Sequence, residues 1–248
     1  MSEPITTVDF HFDVMCPWAY QASLWMRDVR DQLKLDVGWR FFSLEEINRA
    51  EGKKHPWERE WSYGWSMMRV GALLRRIDPA LVDHWYYAAG TALHVEGRKP
   101  HRPEVAEELV AGLGLDPALV RQAIDDPSTH DDVRADHDRV TGLGGWGVPT
   151  LVFPPGPDDA DGSAPDHGRP DHGRPDHGER ALFGPVLIDP PSGEAAVRLW
   201  RLLTGWLEFP ALYEVQRPKG QADLHAIAAT FRPYLEARDW ITIQKETP

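Results

Sequence analysis

Only one cysteine, Cys16, occurs among 248 residues. A single thiol cannot form an intramolecular disulfide, which removes the disulfide-stapled secreted scaffolds and any zinc site built on cysteines. Long apolar runs are also missing. None approaches the roughly 18 consecutive apolar residues a spanning helix needs, and the start, Met-Ser-Glu-Pro-Ile-Thr-Thr, has neither the basic stretch nor the apolar core of a signal peptide. The expectation is a cytoplasmic protein without membrane association. Basic residues are the scarcer charge, with 27 Lys and Arg against 39 Asp and Glu and a net charge of -12. That is the opposite of the concentrated basic stripe that nucleic-acid binding requires, and a pair such as Arg75-Arg76 is too short to reverse it. What remains, 42% hydrophobic and 27% charged, is the composition of a folded globular chain. The length suits one elaborated domain or two small ones. Tryptophan is abundant at 11 copies, serving either core packing or the walls of a site for flat ligands.

Residues 8–14, Val-Asp-Phe-His-Phe-Asp-Val, alternate as a half-buried strand does. Pro17 suits a first helical position, and Leu24, Trp25, Val29 and Leu33 recur at helical spacing over 18–33. Residues 35–44 read as a second strand, so the order strand, helix, strand predicts a right-handed parallel crossover. From 56 to 145 there is no convincing strand. Helical patterns over 57–76, 79–95, 103–113, 117–124 (opened by Asp116) and 129–141 (opened by Ser128) predict an all-helical insertion. Residues 148–153 and 181–188 are β-type runs suited to an antiparallel pair, followed by a helix over 192–207 and helical composition over 224–237.

The chain is thus expected to be α/β, with one fold split into 1–55 and 146–212 around the insertion 56–145, and a C-terminal extension 213–248. Residues 154–180 are dense in Pro, Gly and Asp and repeat Pro-Asp-His-Gly-Arg/Glu three times. Such a segment cannot bury a core and reads as a surface loop. Its histidines, His167, His172 and His177, recur every five residues and suit weak metal binding at most. No metal site is expected.

Cys16 falls at the strand-to-helix junction. The thiolate is the reactive form, and an ordinary thiol near pKa 8.5 is only slightly ionised at neutral pH. A helix N-terminus contributes up to about 2 kcal/mol, which at about 1.36 kcal/mol per pKa unit lowers that value by roughly 1.5. The expectation is an activated thiolate at Cys16. The alternative, a buried structural cysteine, is disfavoured because Pro17 puts Cys16 at the cap, facing the free N–H donors. Gly147-Val148-Pro149-Thr150 is a second feature. Proline cannot donate to a ladder, so Pro149 belongs at a strand's first residue or edge.

In combination, Phe12-Asp13-x-x-Cys16-Pro17-Trp18, then Val148-Pro149-Thr150, then Phe183-Gly184-Pro185-Val186-Leu187 resemble the DsbA-like branch of the thioredoxin superfamily. Within it the chain is similar to the actinobacterial mycothiol-dependent nitroreductases, over about residues 8–215 without the repeat loop. The resemblance implies a thioredoxin-like fold interrupted by a helical lid, Cys16 as nucleophile, and Pro149 in cis beside it. It further implies that Pro17, Trp18, Ala19, Tyr20, Val148, Pro149 and Thr150 line the thiol-substrate site, with mycothiol as thiol cosubstrate. The family motif is Cys-Pro-Trp-Cys, and here Ala19 stands where the second cysteine would be. Dithiol chemistry within one chain is then unavailable. The reaction implied is monothiol reduction of disulfide or nitroaromatic-type substrates. A thiol transferase resembling the kappa-class glutathione transferases and a redox-inactive binding module remain the alternatives.

Further candidates are His11 and Asp13, placed on one strand face by period two and near the thiol, where Asp13 would oppose thiolate formation or shuttle a proton. Trp61 and Trp65, with Met68, recur at helical spacing in the insertion and suit either packing or substrate contact. Expected partners are a low-molecular-weight thiol and a small-molecule or mixed-disulfide substrate, and a second copy of the chain is a further candidate.

Overall fold

A computed structural model describes residues 5–156, 178–209 and 211–238. The repeats at 165–177, with His167, His172 and His177, lie outside the described residues.

The alternating run forms β1 (Thr7–Phe12), which buries Val8, Phe10 and Phe12 completely. Helix α1 (Pro17–Leu33) follows and ends where Lys34 turns left-handed at φ 58°. Strand β2 (Asp36–Phe41) then pairs in parallel with β1, Phe12 opposite Phe41. The later β-type runs form β3 (Thr150–Phe153) and β4 (Arg180–Phe183), mutually antiparallel, with β3 also antiparallel to β1. The resulting sheet order is β2-β1-β3-β4. This is the expected α/β class, a thioredoxin-like sheet with an all-helical insertion between β2 and β3. The second run is shorter than the 181–188 predicted, because Gly184 at φ 109° and the cis Gly184–Pro185 peptide turn the chain out of the strand.

The insertion comprises α2 (Leu44–Ile47), a 3-10 turn (Pro56–Glu58), α3 (Tyr63–Ile77), α4 (Ala80–His94), α5 (Pro103–Gly112), α6 (Ala118–Asp125) and α7 (Ser128–Gly142). The single helix expected over 57–76 is broken. Ser62 is extended, and its N–H is taken by the Ser66 hydroxyl at 2.7 Å, so a new helix starts there. Ser128 does not cap α7 either; Asp126 does, its carboxylate accepting from the Ser128 N–H and hydroxyl.

Two polar devices tie the insertion together. Arg69 on α3 is buried, and its guanidinium donates to Thr129 Oγ1, Ile124 O and Asp126 O, satisfying the loop between α6 and α7. On α7, Asp136 accepts the Phe41 N–H at 3.1 Å and His137 Nδ1 accepts the Ser43 N–H at 3.2 Å. Side chains thereby satisfy two backbone donors at and just past the end of β2, an edge strand whose free donors invite pairing with another chain.

Helix α1 lies against α8 (Gly193–Trp206), where Trp25 donates to Ala196 O at 3.1 Å and packs on Trp200. Trp25, Trp65 and Trp85 are fully buried and Trp39 and Trp200 nearly so, so five of the 11 tryptophans are core. After a stretch of exposed chain come α9 (Gln221–Thr230) and α10 (Arg232–Ala237).

Helices α1 and α4 approach closely because residue 90 has no side chain. A Cβ on Gly90 would stand 2.5 and 2.9 Å from the Tyr20 ring, and that ring is itself packed on His94. Removing a helical glycine gains about 1 kcal/mol, whereas overpacking a rigid aromatic costs about 1–3 kcal/mol. Gly90→Ala is therefore expected to destabilise, read as a lower urea midpoint at unchanged slope. An unchanged or raised midpoint contradicts the α1–α4 packing.

Candidate active site

Cys16 is the N-cap of α1, in extended conformation, because the Asp13 carbonyl accepts its N–H at 3.0 Å and closes the turn after β1. Its Sγ accepts from the Ala19 N–H at 3.4 Å and, as a thiol, donates to the Val148 carbonyl at 3.5 Å. Pro17 supplies no N–H at the first helical position, where none is needed. Position 19 thus contributes a backbone donor although it has lost its thiol.

The electrostatic consequence corrects the expectation. Cys16 is 4% exposed, and burial pushes its thiol up to about 12, outweighing the Ala19 and Trp18 N–H groups; Asp13 raises it further. Full burial moves a pKa by up to about 3–5, or roughly 4–7 kcal/mol, and the helix end offers only about 2 kcal/mol. In this conformation Cys16 is a protonated thiol, not a thiolate.

The facing wall is the turn into β3. The Val148–Pro149 peptide is cis, and the Thr150 hydroxyl donates to Gly147 O at 2.7 Å across it. The Pro149 carbonyl accepts from the Gly184 N–H at 2.8 Å, so the Phe183-Gly184-Pro185 segment braces the Val148-Pro149-Thr150 turn. The two motifs, more than thirty residues apart in sequence, are neighbours in space.

Asp13 lies past the end of β1 and is not on the strand face of His11. Its carboxylate turns back to accept the Met15 N–H at 2.9 Å and the Leu44 N–H at 2.8 Å. Burial raises its pKa to about 7, opposed by those two donors. His11 stays in β1 opposite Thr150, fully buried, and neither ring nitrogen has a hydrogen-bond partner among the described residues. Burial lowers its pKa to about 3, so it is neutral. The structure shows no contact between His11 and the thiol.

Aromatic side chains complete the site. Trp18 meets Phe231 edge-on at 4.6 Å between centroids. The Tyr20 hydroxyl bonds with Thr91 Oγ1 at 3.0 Å, and its ring stacks on His94. Burial lowers the His94 pKa to about 4; the neutral ring donates through Nε2 to the Val14 carbonyl at 2.8 Å, leaving Nδ1 as an acceptor without a partner among the described residues. Tyr234 packs on the other side of His94. Sequence reasoning missed His94, Phe231 and Tyr234, because no local spacing links them to Cys16. Trp65, by contrast, is fully buried within the insertion and donates to His130, and Trp61 donates to His101 O. Met68 is also fully buried. Trp65 and Met68 are thus core residues, whereas Trp61 is half-buried.

Comparison with known proteins places these features in context. The Rv2466c-like family model, described as mycothiol-dependent nitroreductase Rv2466c, matches residues 15–155. A Mycobacterium tuberculosis (strain ATCC 25618 / H37Rv) protein, "Uncharacterized protein Rv2286c", is 54% identical over 241 residues, covering 97% of this chain and 94% of that one. Among solved structures, a putative protein disulfide isomerase from Nitrosomonas europaea is similar with TM-score 0.54 at 15% identity, over 84% of this chain and 100% of that one. A 2-hydroxychromene-2-carboxylate isomerase gives 0.53 at 15% identity, over 82% and 95% of the two chains. At such identities the likeness is one of fold.

Asp13 yields a pH signature. Its folded pKa lies above the unfolded 3.8, so its contribution to stability is full below about pH 4 and is lost as pH rises through about 7. Asp13→Asn cannot titrate. The stability gap between wild type and variant should be widest near pH 4 and narrow toward pH 8, by at most about 1.4 kcal/mol per pH unit. Urea midpoints across that range measure it, and neutral His11 and His94, which lose stability as pH falls below 6.5, cancel in the comparison. A gap independent of pH contradicts a buried acid at Asp13.

Proposed function

The chain belongs to the Rv2466c-like family of mycothiol-dependent nitroreductases, and from that premise we propose a monothiol oxidoreductase in which Cys16 is the nucleophile and mycothiol supplies the second thiol. The observation that carries this reading is the position of Cys16 Sγ, between the Ala19 N–H at the start of α1 and the Val148 carbonyl beside Pro149. The first group supports charge on sulfur. The second lies on the turn into β3, which faces the sulfur from the neighbouring strand.

The proposed cycle balances without a second protein thiol. The Cys16 thiolate attacks a sulfur of a mixed disulfide, forming a Cys16–mycothiol disulfide and releasing the other sulfur as a thiol once protonated. A second mycothiol thiolate then attacks the bound mycothiol sulfur, giving mycothiol disulfide and regenerating Cys16. Nitro reduction has the same electron count per step: two mycothiol thiols supply two electrons and two protons, converting a nitro group to nitroso with loss of water. The family description supports that substrate class. A cytoplasmic setting, where small thiols stay reduced, suits a chain with one cysteine.

A second reading, a redox-inactive binding module, is favoured by Ala19 and by the buried, protonated state of Cys16. Intact-protein mass spectrometry after incubation with mycothiol disulfide decides between them. Monothiol turnover gives one mycothiol adduct on Cys16, removed by added mycothiol and absent in Cys16→Ser. No adduct in any variant, including those that open the site, leaves the binding module. Independently, Ala19→Cys is expected to form an intrachain disulfide with Cys16 on oxidation; failure to form it contradicts a thioredoxin-type arrangement of positions 16 and 19.

A further inference from the structure

Beyond Trp200, Leu203 and Leu207 pack against the core and the described chain that follows buries few residues. Among its described residues only Phe231 and Ala237 are buried, and α9 buries none. Phe231, at the start of the last helix, brings that helix onto the thiol site. Phe231 stands edge-on against Trp18, next but one to Cys16. Tyr234 covers His94, whose Nε2 holds the Val14 carbonyl just ahead of Cys16. Burial raises the Tyr234 pKa, and Arg238 opposes the shift. Pro233 lies against Gly97, at the end of α4. Two features of the covered surface are those of a ligand site: an indole ring that an apolar side chain now covers, and the buried acceptor His94 Nδ1, which has no partner among the described residues.

We propose that residues 231–237 form a gate that lies over the Cys16 site, with Phe231 occupying on Trp18 the place an incoming thiol ligand takes, so that the thiol reacts only when this segment lifts. The proposal rests on Cys16 being the reactive group. Its physical basis is the imbalance in attachment. A core strand cannot open without global unfolding, whereas a short helix held by two buried residues and tethered through exposed chain opens locally at much lower free energy. Opening also admits water to Cys16, which removes the desolvation that now keeps it protonated and leaves the α1 N-terminus to favour the thiolate. The absence of a second cysteine fits the same picture, since the resolving thiol has to arrive from outside through this opening.

The test is the rate at which iodoacetamide alkylates Cys16 at pH 8, resolved by peptide mass spectrometry. Phe231→Ala removes the anchor on Trp18 and is expected to raise the rate by about tenfold or more, equivalent to about 1.4 kcal/mol of easier opening, while hydrogen exchange in β1 and β3 stays slow. The converse variant locks the segment. A Cβ at Gly97 would lie 3.8 Å from Pro233 Cβ, the spacing of a disulfide, so the Gly97→Cys/Pro233→Cys pair should close on oxidation. Gly97 is left-handed at φ 65°, so the substitution strains the backbone, but the oxidised and reduced forms of the same pair carry that strain alike. With the pair oxidised, Cys16 should alkylate at least about fivefold more slowly than with the pair reduced, since local opening is then blocked. Equal rates in the two redox states overturn the gate, as does a wild-type rate in Phe231→Ala. Should Phe231→Ala lose its slow exchange in β1, the oxidised and reduced forms of the locked pair decide alone. Because alkylation needs no mycothiol, the gate can fail while the oxidoreductase reading stands. Fast alkylation of an opened site that never takes a mycothiol adduct supports the gate and overturns that reading instead.

Discussion

The opposition between desolvation and the α1 N-terminus at Cys16 governs the rest of the site. The same sulfur sits where backbone donors favour its anion and where the surrounding apolar side chains exclude the water that an anion needs. With the site closed, exclusion of water is the larger effect, and the thiol is protonated and bonded to the Val148 carbonyl. A nucleophile held this way is protected from adventitious oxidation, because oxidation also proceeds through the thiolate. Its reactivity depends on whether water and ligand can reach it, and so on the elements packed around it.

Those elements are braced unequally. The β3 side is rigid: Thr150 and Gly184 tie the Val148-Pro149 turn into two strands, and the sheet behind it buries Phe10, Phe12 and Leu151. The insertion is fixed to the sheet through Asp136 and His137 on the β2 edge and internally through Arg69. The C-terminal helix is held chiefly by side-chain packing, with Phe231 on Trp18, Tyr234 on His94 and Ala237 buried. A site with one fixed wall and one weakly held wall can keep its nucleophile precisely placed and still admit a substrate.

Much of the architecture was legible along the chain because it rests on local rules. The alternation in β1, proline at the first position of α1 and the turn residues around β3 and β4 act within a few residues, so their pattern survives in the sequence. The same locality explains the errors. Reading Ser128 as a cap ignored that Asp126, two residues earlier, could reach its N–H first. Placing Asp13 with His11 assumed that the strand continued, whereas the carboxylate's bonds to Met15 and Leu44 end it.

By itself the sequence determined that Cys16 is the one thiol in the chain and that it opens a helix after a strand, with a proline turn as a second feature. These are matters of composition and near-neighbour spacing. The tertiary structure alone decided the protonation state of that thiol, the pairing of the Val148 carbonyl with it, and the covering of Trp18 and His94 by Phe231 and Tyr234. Each of these depends on how many distant groups exclude water from one atom, and burial is a sum over the whole fold that no local pattern encodes.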